Sequence, residues 1–110
     1  MATMATTPKN LTETFGADSS DVSYVAILKA GTNKYRVSLR RNSHAFQSHA
    51  RVDVLHVSGW LTLIDLHNDE FVGDLHAPIA GSKITPAIRK AQMRELATNL
   101  VIDAHRVYMA

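Results

Sequence analysis

The stretch Ser23–Arg41, SYVAILKAGTNKYRVSLRR, decides the fold. Its first run, Ser23 to Lys29, is rich in apolar and β-prone residues and stops at Ala30-Gly31-Thr32-Asn33. In the second run, Lys34 to Arg41, Tyr35, Val37 and Leu39 alternate with Lys34, Arg36, Ser38 and Arg40. Successive side chains of a strand point to opposite faces, so this spacing makes one apolar and one cationic face. Two such runs around a short link containing Gly and Asn form an antiparallel hairpin.

Further strands follow on either side. Asn42 to His49 reads as a polar loop that carries Phe46, and Arg51 to Ser58 (RVDVLHVS) as a strand that stops at Gly59. Trp60 to His67 (WLTLIDLH) is the next strand, Asn68-Asp69-Glu70 a turn, and Phe71 to His76 (FVGDLH) a shorter strand before Pro78 and Gly81. Residues 1–20 are rich in Ala, Thr, Ser and Asn and read as an N-terminal arm with one short strand around Leu11 to Phe15. No internal repeat or low-complexity tract interrupts this order.

Beyond Gly81 the period changes. Thr85 stands before Pro86, an N-cap residue followed by the helix position that best accepts proline. Ile88, Met93, Leu96, Ala97, Leu100, Val101, Ala104, Val107 and Tyr108 then recur at helical spacing, with Arg89, Lys90, Arg94 and Arg106 mostly off that stripe. A straight helix from Pro86 to Tyr108 is about 35 Å long, and a compact monomer of this size is about 34 Å across. The spacing therefore predicts a helix that either breaks near Asn99 to Asp103 or reaches over a partner. The predicted class is α+β, an antiparallel sheet of about five strands followed by one or two C-terminal helices. It is a single domain over 1–110, with an arm to residue 20, a sheet over 21–81 and a helical segment over 82–110.

Composition sets the limits. At 110 residues, 45% hydrophobic and 20% charged, the chain suits one globular domain with a thin core that a subunit partner would extend. No run approaches the ~20 apolar residues of a membrane span, and Met1 to Asn10 lacks a signal peptide's apolar stretch. Cysteine is absent, which excludes disulfides, thiolate zinc sites and a cysteine nucleophile. A reducing interior, or a particle held without covalent links, is the compartment expected. Charge is segregated: six basic residues and no acid lie between Lys29 and Arg51, and five acids with no Lys or Arg between Asp53 and Asp74. Such asymmetry suits a polyanion-facing surface beside an acidic one, or solvated strand faces that neutralise each other.

Candidate sites narrow to one strand. The six histidines, His44, His49, His56, His67, His76 and His105, form no HExxH pattern, so no metal is expected, although His56, His67 and His76 could meet across strands. The chain has no nucleophile elbow, P-loop or Rossmann glycine pattern, and Asp69-Glu70 suits a turn better than an acid/base pair. No enzyme, cofactor or small-molecule substrate is expected. If Tyr35, Val37 and Leu39 pack under the helix, Lys34, Arg36, Ser38 and Arg40 line an open face fit for phosphate contacts. Base reading would also need an aromatic there, and Tyr35 points the other way. A solvated strand would carry the same pattern. The apolar helix stripe can cover its own sheet or a neighbour's, and Leu96, Leu100, Val101, Ala104 and Tyr108 are its candidate dimer contacts.

The order of parts resembles the coat proteins of single-stranded RNA bacteriophages, the levivirus-like family. The resemblance runs through SYVAILK, KYRVSLRRN, HARVDVLHV and the terminal SKITPAIRKAQMRELATNLVIDAH, roughly Ser23 to His105. It is a pattern of residue types without a diagnostic motif. The chain is short for that family, its first 20 residues barely hold the usual N-terminal hairpin, and WLTLIDLHNDEFVGDLH is hard to match to the last two strands. The resemblance implies a homodimer with one continuous antiparallel sheet, helices outside and the other face towards the genome. It implies an icosahedral shell that packages single-stranded RNA, a virion assembled in the bacterial cytoplasm, and an RNA hairpin bound as a translational repressor. RNA contacts would fall on Lys34, Arg36, Ser38, Arg40 and Arg51, with Asp53 adjoining. Loops at 42–49 and 67–70 would join dimers. The alternative is a small dimeric nucleic-acid-binding regulator or inhibitor that forms no shell, and after it an enzyme whose site the sequence hides.

Overall fold

The computed structural model describes residues 7–17, 21–42, 47–67 and 86–110. Five strands, β1 Lys9–Ala17, β2 Asp21–Ala30, β3 Asn33–Asn42, β4 Gln47–His56 and β5 Gly59–His67, precede one helix, α1 Pro86–Tyr108. All neighbours are antiparallel, in the order β1-β2-β3-β4-β5. The α+β class expected from the change of period is the class observed. The central hairpin turns at Gly31-Thr32, where Gly31 takes φ 61°, the positive value that two-residue hairpin turns require at no steric cost to glycine.

Two expectations change in detail. The short strand around Leu11 to Phe15 is a full nine-residue edge strand. Gln47 to His49, read as loop, belongs to β4, with His49 opposite Arg40. The inward alternation there is carried by Ser48 and Ala50, both buried, and neither is apolar enough to announce a strand. The expected strand at Phe71–His76 and the cap at Thr85 lie outside the described residues.

One face of the sheet holds the core. Tyr24, Ala26 and Leu28 of β2, Tyr35, Val37 and Leu39 of β3, and Ala50, Val52 and Val54 of β4 are all buried. They pack with Met93, Ala97, Leu100, Val101 and Ala104 of α1 in one cluster. Each fully buried Leu, Val or Met contributes about 1.5–3 kcal/mol.

The helix does not break at Asn99–Asp103; it runs 23 residues. The reason is the length of the sheet itself. The charge of Arg41 acts on Arg89 at the N-terminal end of α1, and Asn33 Nδ2 donates to Met109 Sδ at 3.3 Å just past its C-terminus. Arg89 to Met109 spans about 30 Å of helix, and Arg41 to Asn33 about 26 Å of strand. So α1 lies lengthwise over β3, and a rectangular slab accommodates a helix that a sphere of the same volume would not.

Candidate nucleic-acid interface

The strand period that buries Tyr35, Val37 and Leu39 sends Lys34, Arg36, Ser38 and Arg40 to the other face, which no described element covers. Register brings neighbours to the same face. Ser38 lies opposite Arg51, Arg36 opposite Asp53, Arg40 opposite His49, and Lys34 opposite Lys29. All five expected contact residues thus share one surface, and Asp53 adjoins them as the resemblance implied. Lys29 and Lys34 are both exposed, and like charges placed directly across a ladder repel. An anion between them would relieve that repulsion.

The centre of the face is organised by Asp53, which is 1% exposed. Arg36 donates from Nε and Nη2 to Asp53 Oδ2 at 3.2 and 2.9 Å. Arg51 Nε and Thr62 Oγ1 donate to Oδ1 at 2.9 and 2.7 Å. Burial alone would push this carboxyl up, but the bonds from Thr62, Arg36 and Arg51 outweigh it and hold the group below the usual aspartate range. One carboxylate therefore fixes two guanidiniums side by side and neutralises one of them.

Thr62 reaches Asp53 because of a bulge. Val52 pairs with Ile64 but Asp53 pairs with Thr62, so Leu63 is an extra residue in β5. The shift swaps faces along the rest of the strand. It sends Thr62 and Trp60 to the cationic side and leaves Leu61 across from the inward-facing Val54.

Trp60 is the functional candidate that sequence reasoning missed. The Arg36 guanidinium lies 4.6 Å from the centre of its ring, a cation–π contact worth about 0.5–1 kcal/mol at a half-exposed site. The face thus carries an aromatic and a stacked arginine plane, the two kinds of surface on which unpaired bases stack. At the far end, His49 Nε2 and His67 Nε2 both approach Asp65 Oδ1, at 2.5 and 3.2 Å. The His49 hydrogen bond is the main cause that holds the Asp65 carboxyl low. Of the three histidines that could have met across strands, His56 lies beside the β4–β5 turn, away from His67, and His76 is outside the described residues.

The expected dimer contacts lie on the opposite side. Leu100, Val101 and Ala104 are buried against the chain's own sheet, while Leu96 and Tyr108 are partly buried at its margin. No protein-family model matches this chain, and no curated protein or solved structure matches it either.

Proposed function

We propose that the chain is a non-enzymatic coat subunit that dimerises, assembles into a small shell and packages single-stranded RNA inside a virion. The observation that carries this reading is the division of labour between the two sheet faces. One is consumed by α1; the other presents Lys29, Lys34, Arg36, Arg40 and Arg51, with Asp53 and Asp65 set among them and no described element over it. Cations on a broad open sheet suit a long flexible polyanion better than a small substrate, which needs concavity. Polar Ser38 adds a neutral donor for phosphate and ribose oxygens. A second copy placed edge to edge would continue the sheet and double the cationic face about a two-fold axis.

The stacked Arg36–Trp60 pair favours a second reading, a dimeric regulator that binds a nucleic-acid hairpin without forming shells. Size-exclusion chromatography with light scattering, read at 260 and 280 nm, separates the two. A nucleic-acid-rich peak far above the dimer mass supports the coat. A peak near twice the 12.1 kDa chain that still binds RNA moves the assignment to the regulator. Neither particles nor salt-sensitive RNA binding would overturn both.

The face itself is tested with Lys34→Ala/Arg40→Ala, which leaves the Asp53 cluster intact. RNA affinity should fall, and the slope of log K against log salt should shrink by about 1.4, at ~0.7 per lost contact to a single strand. An unchanged slope with a folded protein would place the RNA elsewhere.

A further inference from the structure

We infer that His49, Asp65 and His67 form a site for a divalent transition-metal ion of the zinc class. The three sit on the β4–β5 pair: His49 and His67 are direct register partners, and Asp65 is two residues back from His67 on the same face. Their ligand atoms all lie within 4.8 Å of one another, with both Nε2 atoms directed at the same carboxylate oxygen. Two imidazoles and one carboxylate are a borderline-soft donor set that suits Zn²⁺, Co²⁺ or Ni²⁺ and disfavours Ca²⁺ or Mg²⁺, which take oxygen ligands.

The spacing is close to what coordination needs. Ligands ~2.0–2.1 Å from a tetrahedral zinc stand about 3.4 Å apart, so the 3.2 Å pair opens slightly, the 2.5 Å pair by under 1 Å, and the two Nε2 atoms lie within 4.8 Å of each other. The rings of His49 and His67 are stacked, 4.2 Å apart at 13°, and must splay for both nitrogens to address one ion. Their side chains are 39% and 65% exposed, so rotation costs no core packing. Three protein ligands leave a fourth position for water. Arg40 and Arg51 face the cluster across the ladder and lower its affinity for a cation, although Arg51 is tied to Asp53. The metal would bridge β4 to β5 at the end of the hairpin remote from its turn. This inference stands apart from the RNA reading, since it uses neither the arginines nor the tryptophan.

The test is titration of the full chain with Co²⁺, read by its visible d–d bands, followed by displacement with Zn²⁺. One equivalent per chain is expected, with the intense bands of a four- or five-coordinate site. His67→Gln and His49→Gln should each weaken binding at least ~10-fold, while His56→Gln on the same sheet leaves it unchanged. Zinc at 100 times its Kd should raise the Tm of the native protein by roughly 10 °C, and not that of His67→Gln. His67 is the more exposed of the two, so its variant remains decisive if His49→Gln misfolds. Binding below half an equivalent, or binding untouched by His67→Gln, would overturn the site.

Discussion

Asp53 has the most to explain of any single residue. A buried carboxylate on a surface proposed to face a polyanion is a cost in charge, yet Arg36 and Arg51 stand on adjacent strands and would repel without it. Asp53→Asn keeps the volume and removes the charge, and should cost about 1–3 kcal/mol, because the charge-assisted bonds from Arg36 and Arg51 become weak or reversed. Tm should fall by roughly 4–8 °C per kcal/mol. The same change adds one net positive charge to the face, so RNA affinity should rise while stability falls. Loss of both together would mean that the carboxylate orders the contact residues rather than merely neutralising them. The acid limb gives a second readout. A carboxyl held low in the folded state contributes fully above its ordinary value of 3.8 and loses that contribution as pH falls through the folded value. Native protein should therefore lose stability on acidification more steeply than Asp53→Asn. Of the two cations of this cluster, Arg36 was legible from alternation in KYRVSLRR, whereas Arg51 was placed there only by the resemblance. Trp60 was not, because strict alternation back from Leu66 and Ile64 puts it on the helix side, and only the Leu63 bulge reverses that.

Among the elements, β1 is held both by its ladder with β2 and by a side-chain tie to the helix. Glu13 accepts from the Tyr24 hydroxyl at 2.7 Å and from Arg94 Nε and Nη2 at 3.1 and 2.7 Å, with Lys90 Nζ at 3.8 Å. The Arg94 bond, then the Tyr24 bond, lower the Glu13 carboxyl to about 2, while burial and Glu13 push the Tyr24 hydroxyl up to about 12. For Glu13 the sign is that of any depressed acid: the tie is complete above about 4.5 and is lost as pH falls towards about 2. Glu13→Gln should remove that acid-dependent loss. It should also speed amide exchange in β1 at neutral pH with little change in β3, which is measurable by hydrogen–deuterium exchange. Equal protection of β1 in both proteins would show that its backbone ladder suffices. None of this tie was readable in the sequence, since Glu13 and Arg94 are 81 residues apart and meet only once α1 lies along the sheet. The helix itself was readable from its period. Of the two outcomes its length left open, a break or a reach over a partner, the break is absent, because strands of nine or ten residues rather than a sphere set the long dimension.

For the molecule as a whole, one helix on one sheet leaves the thin core that 110 residues allow, and the arrangement makes demands at its edges. β1 carries Lys9 and Glu13, charges of the kind that discourage another strand from pairing. β5, at the other edge, reads GWLTLIDLH, with Asp65 its one acidic residue and no Lys or Arg. Among the described residues nothing pairs with its outer side. A sheet that continues across a dimer through β5 would cover Leu61, which is 49% exposed. The helix stripe is a poorer handle for testing this than its apolar pattern suggests. Leu100 is 8% exposed within the single chain, so Leu100→Asp would unfold the protein whatever its oligomeric state. Leu61→Lys avoids that confusion, because the lysine head can reach water from a half-exposed site and the fold should lose no more than about 1 kcal/mol. If β5 joins two copies, Leu61→Lys should elute as a folded monomer, with a circular dichroism spectrum like that of the parent, where the parent elutes as a dimer or larger. On the proposed coat reading, shell formation should vanish with the dimer. A folded Leu61→Lys that still elutes at the parent's mass would put the two-fold contact away from this edge.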